Sequence, residues 1–137
     1  MILYLDSSVV LRAVFNEPGI LPDISRLEHA VSSDLLRVEC LRTADRKRIR
    51  SNLSENTHLN MLSAIHRVLA HTELVKLSTP VLERAAQSFP AQLGTLDALH
   101  LATLLLYRER IGSDVALATH DDELRRCAQA MGIPTVG

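Results

Sequence analysis

Aromatic side chains are scarce in this 137-residue chain, at 3% overall, with two Tyr, two Phe and no Trp. Stacking on exposed bases is therefore not a main mode of nucleic-acid recognition here; backbone shape and charge would have to dominate. A surplus of charge is also absent, since 15 basic residues face 16 acidic ones. A near-neutral molecule has no global field with which to gather polyanions, so any RNA or DNA surface must be local. The two cysteines, Cys40 and Cys127, lack metal-ligand spacing. That excludes a disulfide scaffold and fits a reduced, cytoplasmic setting. No apolar run approaches the ~20 residues of a membrane-spanning helix. The opening Met1-Ile2-Leu3-Tyr4-Leu5 meets Asp6 without a basic segment, the pattern of a strand rather than a signal peptide.

What remains is an ordinary globular composition, 47% hydrophobic and 23% charged, expected to fold as one domain over residues 1–137. Ile2–Leu5 has the length of a buried strand. Asp6-Ser7-Ser8 then offers N-cap side chains for a helix carrying Val9, Val10, Leu11, Ala13 and Val14, closed by Asn16-Glu17-Pro18-Gly19. A short helix is expected over Leu21–His29, a strand near Ala30–Ser32, and a helix from Ser33 or Asp34 to about Ile49. The polar linker Arg50–Thr57 leads into a helix over about Leu59–Ala70, then a strand at Leu74–Leu77. Ser78-Thr79-Pro80 starts a helix that ends before Pro90, with proline in the first turn. A helix from Thr95 to about Arg110, a strand at Val115–Ala118, a helix opened by Asp121 and stopped by Gly132, and an edge strand at Ile133–Val136 complete the chain. Short apolar strands alternating with helices imply an α/β fold in three layers, its central, mostly parallel sheet of about five strands covered on both faces.

The Thr95 helix is where the chemistry concentrates. Thr95-Leu96-Asp97-Ala98-Leu99-His100-Leu101-Ala102-Thr103 runs on into Leu104, Leu105 and Leu106, apolar almost all the way round, which marks a buried helix. Its polar members Asp97, His100, Thr103 and Tyr107 recur at helical spacing along one narrow edge. The helix dipole favours a carboxylate in the first turn, yet a buried charge still needs a partner. Three other acids are candidates to share one. Asp6 directly follows the first strand, Asp121 comes three residues after the Val115–Ala118 strand, and Glu39 lies inside its helix. Sites in parallel sheets collect at the carboxyl ends of the strands, where Asp6 and Asp121 sit. Each acid also has a plainer role. An isolated Asp after a strand is more often an N-cap, and Asp121 is reinforced in that role by Asp122 and Glu123. Glu39 has an i,i+3 ion pair with Arg42 open to it, worth about 0.2–0.5 kcal/mol. Asp97 has the weakest alternative, because capping belongs more naturally to Thr95. Singly, none compels a site; the four together favour one.

Carboxylate oxygens are hard ligands suited to Mg²⁺ or Mn²⁺, and the His/Cys sets that would indicate zinc are missing. Without an ion, four converging carboxylates repel one another and raise at least one pKa. With an ion, such a site performs phosphodiester hydrolysis by lowering the pKa of a bound water and neutralising charge at the scissile phosphate.

The chain resembles the PIN-domain proteins of the VapC type, the toxin ribonucleases of toxin–antitoxin pairs. The resemblance spans nearly the whole chain and is carried by four ordered motifs. They are the apolar strand with Asp6-Ser7-Ser8, where the family has Asp-Thr-Ser; Ser33-Asp34-Leu35-Leu36-Arg37-Val38-Glu39; Asp97-Ala98-Leu99-His100-Leu101-Ala102-Thr103; and Leu117-Ala118-Thr119-His120-Asp121. The third is the most specific. The resemblance implies a PIN-like fold, metal binding by Asp6, Glu39, Asp97 and Asp121, and Ser8 and Thr119 as helpers that orient ligands or water. Asp122, beside Asp121, leaves open which of the two faces the metal. It further implies a homodimer and a VapB-type antitoxin lying across the acidic pocket.

Arg37, Arg42, Arg46, Lys47, Arg48 and Arg50 form the only dense basic stretch. Arg42 and Arg46 share a helix edge with Glu39 and either guide RNA phosphates or form a solvated face paired with Asp45. Arg12, one turn past Ser8, either reaches the pocket or lies on the surface. His100 is more readily a hydrogen-bonded core histidine than a proton shuttle. The expected activity is therefore a metal-dependent endoribonuclease. The alternative is a catalytically silent PIN-fold module that binds RNA or protein, although a pure scaffold gains nothing from buried like charges. Phosphotransfer on Asp6 is disfavoured, since the second Asp such chemistry needs is replaced by Ser8.

Overall fold

The computed structural model describes residues 1–15, 27–112 and 114–137. The expected closure of the first helix at Asn16–Gly19, and most of the helix expected over Leu21–His29, lie outside the described residues. The strands are β1 (Ile2–Leu5), β2 (Ala30–Ser33), β3 (Thr72–Val75), β4 (Val115–Ala118) and β5 (Thr135–Val136). The helices are α1 (Ser7–Val14), α2 (Leu35–Arg50), α3 (Glu55–Ala70), α4 (Thr79–Ala85), α5 (Thr95–Ile111) and α6 (Asp122–Ala130). The sheet runs β3-β2-β1-β4-β5, and every pairing in it is parallel. Tyr4 stands beside Val31 on one side and Leu117 on the other.

Alternation along the strands divides the core in two. Leu3, Leu5, Ala30, Ala116 and Ala118 pack against Val9, Val10, Leu36, Cys40, Ala44, Ile65 and Leu69 of α1, α2 and α3. On the other face Tyr4, Val31, Val115 and Leu117 meet Leu101, Leu104 and Tyr107 of α5, and Leu124, Cys127 and Ala128 of α6. The result is the three-layer α/β/α arrangement that the sequence pattern implies. From β1 the chain builds outward through β2 to β3, then returns to the far side of β1 with β4 and β5. Neighbouring strands β1 and β4 thus lead their chains away in different directions, which opens a crevice at their carboxyl ends. No helix of the described residues is long and apolar enough to cross a membrane.

Several element boundaries differ from those read off the sequence. α3 begins at Glu55, not near Leu59, because Ser54 caps it by accepting from the Thr57 N–H at 3.2 Å. Of the residues assigned to a linker, Glu55, Asn56 and Thr57 are its exposed first turn. β3 begins at Thr72, whose hydroxyl donates to the Val68 carbonyl at 2.7 Å, and ends at Val75 opposite the last residue of β2. Its length is set by its partner, so the strand expected at Leu74–Leu77 is displaced. The side chain that caps α2 is Ser33, which accepts from the Leu35 N–H at 3.1 Å; Asp34 makes no such bond. Gly94, not Thr95, is the N-cap of α5, and Thr95 is the first helical residue. α6 stops at the expected Gly132, whose φ of 74° suits a residue without Cβ.

Candidate metal centre

Asp6 leaves β1 with extended backbone (φ −82°, ψ 153°), and it is 3% exposed. One carboxylate oxygen accepts from the Ser7 N–H at 2.8 Å, and the other from the Ser8 hydroxyl at 2.6 Å and the Thr119 hydroxyl at 2.8 Å. The capping role is therefore real, and it accounts for only one of these three bonds. Ser8 and Thr119 each pass the connection on. Ser8 Oγ accepts from the His120 N–H at 2.9 Å, and Thr119 Oγ1 accepts from the Asp121 N–H at 3.0 Å. The loop after β4 is in this way tied to the start of α1 across the crevice.

Asp121 caps α6 by accepting from the Leu124 N–H at 2.8 Å. Asp122 is drawn elsewhere. It pairs with Arg125 at 2.6 Å, its side chain is 72% exposed, and it takes no part in the Asp6 network. Arg125 also donates to the carbonyls of Thr119 and Gly137, which holds the whole loop in place.

Glu39 does not pair with Arg42. Its Oε1 accepts from His100 Nε2 at 2.5 Å and its Oε2 from the Ser7 hydroxyl at 3.2 Å. Arg42 instead meets Asp45 at 3.0 Å, as does Arg48 at 2.9 Å. Arg46 donates to the Thr43 hydroxyl. Both Arg42 and Arg46 are exposed, and Arg12 is half-buried in the last turn of α1. His100 is wholly buried, and its other nitrogen lies 2.8 Å from the Tyr4 hydroxyl. The expected hydrogen-bonded core histidine is thus also a contact of a candidate ligand.

Asp97 lies within electrostatic reach of the other three acids. The Asp97 carboxyl is pushed up to about 6, first by burial, then by the negative charges of Asp121 and Asp6, with a smaller push from Glu39 and an opposing pull from His100. The Cys40 thiol is pushed up to about 12 by burial, then by Glu39 and Asp6. Burial holds the Tyr4 phenol far above its ordinary value, with Asp6 and Glu39 adding to the effect. Among the described residues, no three His, Cys, Asp or Glu side chains are arranged to hold an ion as they stand. Asp6 and Glu39 are each held by hydrogen bonds to neighbouring side chains. The donor set, all hard oxygens that repel one another, fits Mg²⁺ or Mn²⁺.

Sequence reasoning did not find Tyr4 or Ser7 as contacts of this region. The one available signal was periodicity, since Tyr4 lies two residues before Asp6 on an alternating strand.

An all-parallel sheet with acids gathered where β1 and β4 end defines a class of α/β protein that assembles its site at the sheet's switch point. The model of the PIN domain family matches residues 3–130, and the chain belongs to that family. It is 35% identical over 138 residues to Ribonuclease VapC46 of Mycobacterium tuberculosis, an alignment covering 98% of this chain and 95% of the relative. It also shares its fold with a solved structure, the crystal structure of VapBC2 from Rickettsia felis bound to a DNA fragment from their promoter. The TM-score is 0.67 at 13% identity, covering 99% of this chain and 98% of that one.

Proposed function

We propose that this chain is a metal-dependent endoribonuclease that hydrolyses RNA phosphodiester bonds as the toxin of a VapBC-type toxin–antitoxin pair. Asp6, Glu39, Asp97 and Asp121 hold Mg²⁺ or Mn²⁺. The observation that carries this reading is the raised proton affinity of Asp97, caused first by burial and then by Asp121, Asp6 and Glu39, acids distant in the chain, with His100 opposing. A half-buried carboxyl in that company ionises against a repulsion that a bound cation would offset. The likeness to Ribonuclease VapC46 across nearly the full chain supports RNA as substrate.

Each side chain has a distinct task. Asp6 is held by Ser8 and Thr119, so one ligand keeps its position without an ion. Ser7 donates to Glu39. Asp97 and Asp121 carry the charge that a cation neutralises. A bound divalent ion supplies a water of lowered pKa and positive charge against the scissile phosphate. Arg42 and Arg46, exposed on α2 beyond Glu39, meet the flanking phosphates, and Arg12 stands at the end of α1. The protein works in the cytoplasm as a homodimer under the control of a VapB-type antitoxin, a partnership supported by the VapBC2 neighbour.

Incubating the purified protein with total cellular RNA and sequencing the new ends tests the activity and locates its substrate. New ends are expected with Mg²⁺ or Mn²⁺ and not in excess chelator. Undiminished cleavage in chelator contradicts metal dependence, and intact RNA in both conditions favours the silent module.

A further inference from the structure

Every carboxylate in the centre needs something to aim it, and for Glu39 that support comes from two residues with no assigned role. His100 lies three residues after Asp97 on α5, so both side chains rise from the same helix edge. Tyr4 lies two residues before Asp6 on β1, on the same strand face. The two elements that present Asp97 and Asp6 therefore also present Tyr4 and His100. These two meet each other at 2.8 Å between the Tyr4 hydroxyl and His100 Nδ1, with their rings edge to face. The remaining ring nitrogen, Nε2, reaches Glu39 Oε1.

We infer that Tyr4 and His100 form a positioning pair that aims Glu39 into the metal centre. Glu39 projects from the second turn of α2 as a flexible side chain 16% exposed, whereas the His100 side chain is wholly buried. An ionised carboxylate only accepts hydrogen bonds, so the Nε2 that faces it must carry the proton. Tyr4 holds the ring from the opposite side and stops it from turning. If Glu39 swung away, the buried Nε2–H would lose its hydrogen-bond acceptor. Ser7 alone, at 3.2 Å, would then remain to hold Glu39. Neither Tyr4 nor His100 touches the ion or the substrate. Supports of this kind fix the orientation and basicity of a metal ligand, and their loss costs about 10- to 100-fold in metal affinity.

This inference rests on the proposed metal centre, and its test separates the two. Mn²⁺ affinity is measured by calorimetric titration of the wild-type chain and of His100→Leu, His100→Gln and Tyr4→Phe, with folding checked by circular dichroism. His100→Leu is expected to weaken Mn²⁺ binding about 10- to 100-fold. His100→Gln, which restores a donor toward Glu39, recovers most of that loss, and Tyr4→Phe falls between. Unchanged affinity in folded His100→Leu or Tyr4→Phe, or a glutamine no better than leucine, overturns the positioning role while the metal centre stands. A wild-type chain that takes up no Mn²⁺ removes the metal centre and this inference with it. Should His100→Leu fail to fold, the long-range ¹H–¹⁵N spectrum of the wild-type imidazoles decides. A proton on His100 Nε2 is expected, and an unprotonated Nε2 overturns the assignment.

Discussion

Asp97 is a carboxylate that its surroundings discourage from ionising. In an unfolded chain an Asp titrates near 3.9, whereas here it is pushed up to about 6. Between those values the folded, metal-free protein holds a proton that the unfolded chain has released. This group's contribution to stability is therefore greatest below the unfolded value and is lost as pH rises through 6. Replacing Asp97 with Asn removes that loss. Urea melts of the metal-free protein should show Asp97→Asn gaining on wild type between pH 4 and 7, by about 1 kcal/mol once solvent screening is allowed for. A difference that does not change with pH would contradict the electrostatic account. Adding Mn²⁺ at about 100 times its dissociation constant should stabilise wild type by about 2.7 kcal/mol and reverse the order. Cys40 offers a separate check. Its thiol is buried and pushed up to about 12, so a disulfide reagent should label it only as fast as the protein opens.

At the scale of elements, the site depends on stitching between segments far apart in sequence. Thr119→Val keeps the shape of the side chain but removes its bonds to Asp6 and to the Asp121 N–H. It should cost about 1–3 kcal/mol in a denaturant melt, together with weaker metal binding; a loss of neither would mean that Ser8 and Arg125 hold the loop without it. On α2, Arg42→Gln with Arg46→Gln should lower RNA affinity and flatten its salt dependence. Unchanged cleavage and affinity would leave that helix edge as a solvated face paired with Asp45. These elements were unequally legible. The apolar runs of β1 and β4 and the all-round hydrophobicity of α5 identified them from sequence, because burial on every side leaves a continuous pattern. The start of α3 was hidden because its first turn is exposed and polar, and the ends of β3 because a partner strand sets them. Asp6, Asp97 and Asp121 stood out by their place beside strand ends or on an apolar helix. The contacts of Glu39 did not, since the choice between Arg42 and His100 depends on how α2 packs against α5.

For the whole molecule, near-neutral net charge and scarce aromatics leave recognition to a local surface, while the order of strands opens a crevice between β1 and β4 for chemistry. Three features converge there: the tied loop after β4, the Tyr4–His100–Glu39 chain, and the mutual repulsion centred on Asp97. Each is what a cation would complete. The decisive measurement follows loss of the free Mn²⁺ signal by electron paramagnetic resonance as protein is added, for wild type and for Asp97→Asn. Saturable uptake by wild type, weakened at least about tenfold in a folded Asp97→Asn, is the expected result. A wild type that takes up no Mn²⁺, or a variant that takes it up equally well, would contradict the proposal that these four acids hold one metal centre.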